Sequence, residues 1–183
     1  TTGVDFTNPC GPGPDAIYMW MGNNVPIPRT LTTVPFSVSS DCEITLWLRF
    51  EVQHGGGGTT CEGPDLAGEG ISLQYSIDGG TTWTDIAYFR PDGVICPSYP
   101  NTTGFVTVGN GQSTPFTTWA QYNFPVPPGA ASPNTMFRFR QHVYSNLDFD
   151  HWGLDMVNIV CPDSTSYGQV AGQDGFGPHT VYP

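Results

Sequence analysis

Several side chains in this sequence could perform acid–base or nucleophilic chemistry. Asp148, Asp150 and His151 lie close together along the chain, and either aspartate could pair with Glu69 like the two carboxylates of a glycosidase. Such combinations are expected by chance, because 16 of the 183 residues are acidic. Ser72 lies in no Gly-x-Ser-x-Gly pattern and has no obvious base nearby in the sequence. We therefore predict that the protein is not an enzyme.

The charge balance restricts the partners. The formal net charge is −11, and the five basic residues are all arginines. We expect no nucleic-acid partner, because phosphate binding needs a cationic stripe that five arginines cannot build. Metal cations suit such a chain better. No apolar run approaches the roughly 18 residues of a membrane span, and no signal peptide opens the sequence, so we expect a processed chain or a module of a longer one.

The cysteines indicate an extracellular protein. None of the five forms a C-x-x-C pair, and the four histidines are scattered, so a zinc site is poorly supported. Disulfides in an oxidising compartment are the better interpretation. The five are Cys10, Cys42, Cys61, Cys96 and Cys161.

The expected hairpin suggests a pairing for these cysteines. If residues 71–77 and 82–89 form a hairpin, the loops before and after it leave the sheet at the same end, and those loops carry Cys61 and Cys96. Cys10 and Cys161 lie outside the first and last core strands, which are neighbours in many sandwiches. We predict the bridges Cys61–Cys96 and Cys10–Cys161, with Cys42 left over.

That hairpin has the clearest pattern in the chain. Apolar residues alternate with polar ones over 71–77, as in a strand with one buried face. Asp78-Gly79-Gly80 then supplies residues that tolerate positive φ in a tight turn. Trp83, Ile86 and Tyr88 resume the pattern with a slip of one residue, which predicts a β-bulge.

The remaining pattern is also that of strands. No apolar residues recur at helical spacing over ten residues, and Pro35 predicts a break or an edge in its strand. The fold class that we predict is all-β, an antiparallel jelly-roll β-sandwich with long Gly/Pro-rich loops. The other predicted strands are 16–21, 29–38, 43–52, 104–108, 117–126, 135–144 and 148–160.

Two regions stand apart from these strands. The loop of residues 53–68 is too long for a hairpin, and we expect it to be functional or ordered by a metal. We expect residues 1–162 to form the jelly-roll module. Residues 163–183 are rich in Gly, Ser and Gln and contain a few hydrophobic residues such as Phe176. They are predicted to be a C-terminal linker or an inter-subunit segment.

The tryptophans allow two interpretations. Trp20, Trp47 and Trp119 could form a sugar-stacking platform, which would suit a carbohydrate-binding module. They lie in alternating strands, however, and we favour packing in the core.

Five segments follow one another along the chain: Arg29–Thr33, Cys42–Phe50, Glu69–Trp83, Phe137–Gln141 and Asp150–Ile159. Taken in this order, they resemble the subdomain of reelin repeats, and they are similar to jelly-roll modules of large bacterial surface adhesins. Ser76-x-Asp78-x-Gly80-x-Thr82-Trp83 also fits the Asp-box pattern of sialidases and reelin repeats, which stabilises a hairpin and performs no chemistry. The chain departs from reelin in having one subdomain and no EGF-like insert, so reelin's own partner is not carried over.

The resemblance implies an extracellular module with a structural calcium ion and no catalysis. Asp155 in the closing W-x-x-D strand is the implied ligand, together with Asp15 from the opening segment and Glu69 from the loop before the Tyr-Ser strand. Asp65 is a reserve. Calcium needs about six to eight oxygens. The alternative is that these carboxylates are surface charges or turn caps.

Together these observations predict an extracellular structural or adhesive module, a unit of a cell-surface adhesin or of an extracellular fibre. Its expected partners are other copies of itself or neighbouring modules of a surface protein, with glycans as a further candidate. The alternative is a carbohydrate-binding module of a secreted enzyme.

Overall fold

A computed structural model describes residues 10, 13–14, 18–22, 26–54, 61–162 and 168–169 of the chain. This part contains strands and two short 3-10 turns, with no α-helix and therefore no helix that could cross a membrane. The strands are β1 (Met19–Met21), β2 (Arg29–Thr32), β3 (Phe36–Val38), β4 (Glu43–Phe50), β5 (Ile71–Ser76), β6 (Thr84–Phe89), β7 (Ile95–Cys96), β8 (Ala120–Pro125), β9 (Ser132–Gln141), β10 (Trp152–Val160) and β11 (Gly168–Gln169).

The strands form two antiparallel sheets. The first has the order β1-β10-β4-β8, with β11 also paired to β10. The second has the order β2-β9-β5-β6-β7, with β3 also paired to β9. The paired strands are nested along the chain, which is the strand order of a jelly roll. β1 pairs with β10, β2 with β9, β4 with β8 and β5 with β6. The predicted all-β sandwich is confirmed.

The core lies between the inward faces of the two sheets. In β4, Ile44, Leu46, Leu48 and Phe50 are each at most 1% exposed and alternate with half-buried residues, as period-2 patterning predicts. Val52, the last residue of the predicted strand 43–52, lies beyond the observed strand and is only half-buried. Aromatic rings fill the space where the sheets meet, in edge-to-face contacts that join Phe50, Phe89, Phe116, Tyr122 and Phe124.

The hairpin β5–β6 forms with the predicted bulge. Leu73 pairs with Ala87 and Gln74 with Asp85, so Ile86 has no partner in the ladder. Ile77 lies outside the strand and is 51% exposed, so its predicted burial was wrong.

The turn of this hairpin is held by Asp78. Its carboxylate accepts hydrogen bonds from the backbone N–H groups of Thr81 at 3.0 Å and Thr82 at 2.9 Å. Trp83 is half-buried and lies outside the core. Its Nε1–H donates to Gly80 O, and the guanidinium of Arg138 lies 4.0 Å from the ring centroid.

Two other predicted strands differ from expectation. The segment 29–38 is split by residues 33–35 into β2 and β3, as Pro35 predicted, and both halves pair with β9. The predicted strand 104–108 is wrong, because Gly104 (φ 65°) turns the chain into a loop. Within that loop Val108 is buried, and its N–H donates to Asp65 O at 3.2 Å.

The disulfides connect other partners than predicted. The bridges are Cys10–Cys61 and Cys42–Cys161, and Cys96 is a buried free thiol. Cys96 cannot meet Cys61 as expected, because it lies in β7, which pairs with β6 on the side away from β5. Cys42 and Cys161 instead flank the register pair Glu43–Val160 of β4 and β10, so adjacent strands bring them together.

The expected C-terminal linker contributes the short strand β11. Gly168 pairs with Ile159 and Gln169 with Asn158, antiparallel to β10. The other residues of 163–183 lie outside the described part of the chain.

Candidate metal centre

Three carboxylates converge at one end of the sandwich. Carboxylate oxygens of Asp65, Glu69 and Asp150 all lie within 4.8 Å of one another. Glu69 is 2% exposed and Asp150 is 1% exposed, while Asp65 is half-buried. Three acidic groups in so small a volume provide an all-oxygen donor set of the kind that hard divalent cations prefer.

The starts of two strands place these groups. Glu69 lies two residues before β5 in one sheet, and Asp150 lies two residues before β10 in the other. The buried amide of Gln141 joins the two segments, since its Nε2 donates to Glu69 O at 2.8 Å and to Asp150 O at 2.9 Å. The cluster is therefore fixed to both sheets.

Arg29 shapes the segment that carries Asp150. Its guanidinium donates to the backbone carbonyls of Leu147, Phe149 and Asp150 and to Gln141 Oε1. Burial lowers the pKa of Arg29 to about 10. These bonds give the segment a defined path, in which Asp150 takes a positive φ of 60°.

Ser145 links the two buried carboxylates. Its Oγ–H donates to Glu69 Oε1 at 2.5 Å, and its backbone N–H donates to Asp150 Oδ2 at 2.5 Å. Glu69 Oε2 accepts further bonds from the N–H groups of Asp65 at 3.0 Å and Leu66 at 2.8 Å. The loop before β5 is thus wrapped around the Glu69 side chain.

The electrostatics of the cluster favour a cation. Burial, followed by the negative charge of Glu69, raises the pKa of Asp150 to about 8. Burial likewise raises the pKa of Glu69. Ionising Glu69 and Asp150 together is therefore unfavourable, and the nearby charge of Arg29 offsets this only in part. A divalent ion would supply the charge that lets them ionise together.

The structure gathers only part of the ligand set implied by the resemblance. Glu69 and Asp65 are brought together, and Asp150 joins them. Asp155 is not in this group: it lies in β10 opposite Trp47, is buried, and accepts the N–H of Met156 at its Oδ1. Asp15 lies outside the described residues.

The sequence indicated Asp150 as a candidate member of an acid–base cluster and not as a metal ligand. Its position two residues before a core strand matches that of Glu69. That signal becomes informative only once β5 and β10 are known to begin at the same end of the sandwich.

The amino-acid sequence matches the family model Reelin subrepeat B over residues 3–160. The chain belongs to this family. The match covers β1 to β10 and every residue of the acidic cluster. Reelin repeats are extracellular domains, and two disulfides fit an oxidising compartment.

One buried histidine of this Reelin subrepeat B domain is engaged at both ring nitrogens. His151 is buried, and its Nδ1 accepts the indole N–H of Trp20 at 2.9 Å. Nε2 therefore carries the proton and donates to Asp148 O at 2.8 Å. Burial lowers the pKa of His151 to about 4, so the imidazole is neutral and occupied at both nitrogens.

A second histidine does lie beside a serine, which the sequence pattern did not indicate. Ser72 Oγ is 3.0 Å from His142 Nε2, and His142 stacks on Tyr99 at a centroid distance of 3.8 Å. Ser72 is 0% exposed in the Reelin subrepeat B domain, whereas a nucleophile must reach its substrate. Similarly, a glycosidase pair flanks a substrate cleft, but Glu69 and Asp150 are enclosed.

The tryptophans of the domain do not form a common sugar platform. Trp20 is 0% exposed, while Trp47 and Trp119 are half-buried. The rings of Trp20 and Trp119 both pack against Gly153. A Cβ added there would lie 2.7 Å from the Trp20 ring and 2.6 Å from the Trp119 ring. Packing is thus the main role of Trp20, as favoured from the sequence.

Proposed function

We propose that the chain is an extracellular structural or adhesive module, held together at one end by a structural calcium ion at Asp65, Glu69 and Asp150. The observation that carries the proposal is the convergence of three carboxylates, two of them almost fully buried, with the pKa of Asp150 raised to about 8. Such an arrangement costs stability unless a cation offsets the repulsion.

Calcium is the cation that best fits these donors. The group contains only carboxylates, with no cysteine or histidine, which disfavours zinc and softer metals. Calcium accepts irregular oxygen geometry and backbone carbonyls, whereas magnesium demands a near-ideal octahedron. The ion would join the loop before β5 to the segment before β10. The prediction that Asp155 is a ligand rests on the family pattern alone.

The low accessibility of the reactive groups supports a non-catalytic role. Ser72, Glu69, Asp150 and His151 are each at most 2% exposed. Two disulfides and the extracellular nature of the family support a place in a cell-surface adhesin or an extracellular fibre. We give less weight to carbohydrate binding, because Trp20 is buried and Arg138 covers a face of Trp83.

Thermal melting of the non-reduced protein in calcium and in EDTA tests the proposal. At calcium concentrations about 1,000 times the dissociation constant, native-state binding adds about 4 kcal/mol. For a domain of this size that raises the melting temperature by roughly 8–16 °C. Magnesium at the same concentration should give a smaller rise. A melting temperature indifferent to EDTA would contradict the calcium site.

A further inference from the structure

The distribution of the arginines leaves two of them outside any direct ion pair in the described part of the chain, although Asp85 lies near Arg138. The chain has five arginines and no lysine. Arg49 pairs with Glu51 at 2.9 Å, and Arg90 pairs with Asp92 at 2.8 Å. Arg29 is enclosed beside the acidic cluster. Among the described residues, Arg138 and Arg140 are the arginines that remain exposed in part with no carboxylate at ion-pair distance.

These two arginines lie side by side on the outward face of the second sheet. They alternate with the buried Phe137 and Phe139 in β9, which runs between β2 and β5. Their register partners on both sides carry only neutral groups. We call the region of Arg138, Arg140, Thr30 and Thr32 the arginine face; on the β5 side, the register partners Ser72 and Gln74 are buried and do not line it.

Arg138 is held in place by its neighbours. Its Nε donates to Gln74 Oε1 at 2.6 Å, and Gln74 Nε2 in turn donates to Asp85 Oδ1 at 2.7 Å. The guanidinium lies 4.0 Å from the ring centroid of Trp83, a cation–π contact. The two terminal nitrogens of Arg138 make no hydrogen bond to a described residue, so a positioned guanidinium retains free donors.

Arg140 lacks even this support. It makes no hydrogen bond or ion pair within the described part of the chain, and its Nε is shielded from solvent without an acceptor. An unsatisfied buried donor on a charged group costs stability. Burial and the charge of Arg140 also lower the pKa of Arg138 to about 10. A carboxylate between the two guanidiniums would offset their mutual repulsion and accept charge-assisted hydrogen bonds from their terminal nitrogens.

We propose that the arginine face is a docking surface for carboxylates of a second copy of this chain. The occupant follows from local charge complementarity, since a copy carries 16 acidic residues; the net charge of −11 on each copy is an overall repulsion that this contact must overcome. Arg29, Arg49 and Arg90 already bind described carbonyls or carboxylates, which leaves Arg138 and Arg140 as the arginines best placed for an ion pair between copies. The exposed Asp41 and Glu43, which flank Cys42, are carboxylates available for such a contact.

This contact would join different surfaces of two copies. Asp41 and Glu43 lie at the start of β4 in the first sheet, whereas the arginine face belongs to the second sheet. A contact between unlike surfaces is heterologous and can propagate as an open filament. The inference therefore rests on the proposed structural role and specifies how one copy would bind the next.

Sedimentation analysis of the full chain in calcium tests the docking surface, with R140Q as the first variant. Arg140 has no described partner, so R140Q should fold normally, and its melting temperature checks this. We expect R140Q to weaken self-association at least about tenfold and R138Q/R140Q to weaken it further. Raising the salt from about 0.15 M to 1 M shortens the Debye length from about 8 to 3 Å and should dissociate the wild-type assembly.

A matched control separates the effect of the docking surface on self-association from the effect of net charge. Q121E/N123D places two negative charges at exposed positions of β8, in the other sheet. Its net charge is −11 − 2 = −13, equal to that of R138Q/R140Q. The control should associate like the wild type. Equal weakening by the control, or no weakening by the arginine variants, would overturn the proposal.

Two further outcomes identify which proposal fails. A wild-type chain that stays monomeric while calcium still raises its melting temperature would overturn the docking surface and leave the calcium-bound module standing. A monomer that binds heparin, used as a probe polyanion, through Arg138 and Arg140 would also overturn the second copy as occupant.

Discussion

The carboxylates of Glu69 and Asp150 lie within 4.8 Å of each other and share Ser145, whose Oγ–H serves the first and whose backbone N–H serves the second. Glu69 precedes a strand of one sheet, and Asp150 precedes a strand of the other. Their contact through Ser145 therefore joins the two sheets at this end of the sandwich. Two buried carboxylates so close repel when both are ionised. The stability of this end should therefore depend on whether a cation is bound.

Replacing Asp150 by asparagine should separate repulsion from metal binding. In EDTA, D150N removes a buried carboxylate of raised pKa while keeping an oxygen that can accept the Ser145 N–H. We expect its melting temperature to equal or exceed that of the wild type in EDTA. In calcium, the rise seen for the wild type should be largely lost. D41N, at an exposed carboxylate, should keep the full calcium response. An intact response in D150N would exclude Asp150 as a ligand.

The calcium-free protein should lose stability as the pH rises. The pKa of Asp150 is about 8 in the fold and about 4 in an unfolded chain, so between these values the native state binds more protons. The contribution of Asp150 to stability is fully present below pH 4 and is lost as the pH approaches 8.

Denaturant unfolding in EDTA between pH 5 and 8.5 measures this effect. His142 and His151 act in the opposite direction, because burial lowers the pKa of each to about 4 and stability is lost as the pH falls below about 6.5. D150N shares both histidines, so the difference between wild type and D150N reports the titration of Asp150 together with its coupling to Glu69. A difference that does not change with pH would contradict the raised pKa.

Loss of the Cys42–Cys161 bridge should be severely destabilising. The bridge spans 119 residues, and the chain-entropy relation for a loop of this length gives about 4–5 kcal/mol. Replacing both cysteines by serine should therefore lower the free energy of unfolding by up to that amount. C96A should cost no more than about 1 kcal/mol, because Cys96 is a free thiol of small volume. Peptide mapping without reduction checks the pairing, and a Cys61–Cys96 peptide would contradict it.

Gly153 should not tolerate a side chain. A Cβ at this position would lie 2.6 Å from the ring of Trp119 and 2.7 Å from that of Trp20. We expect G153A to destabilise the protein by about 1–3 kcal/mol, because both rings must shift. G109A is the matched control, since its Cβ would meet nothing closer than 3.6 Å. Equal unfolding free energies for the two variants would show that the rings move without cost.

Strands whose local pattern decides their structure were predicted from the sequence. The alternation in β4, the bulge at Ile86 and the break at Pro35 each depend on neighbouring residues, and each is confirmed. The segment 104–108 has similar β-branched residues but begins at Gly104 with a positive φ, and it forms a loop. There, turn geometry overrides β-propensity.

Contacts that depend on strand order could not be predicted in the same way. The disulfide pairing failed because β7, which carries Cys96, lies two strands away from the start of β5. The acidic cluster was found in part, through Glu69 and Asp65, since the resemblance pointed to the loop before β5. Asp150 was missed as a candidate ligand, because its proximity to Glu69 follows only from how β5 and β10 are placed in the two sheets.

Calorimetric titration of the EDTA-treated, dialysed protein with calcium tests the central claim most directly. We expect one calcium ion to bind per chain at the acidic cluster. E69Q should abolish this binding, because it alters the carboxylate that the loop before β5 and Ser145 hold in place. Absence of binding at millimolar calcium, or binding that is unchanged in E69Q, would contradict it.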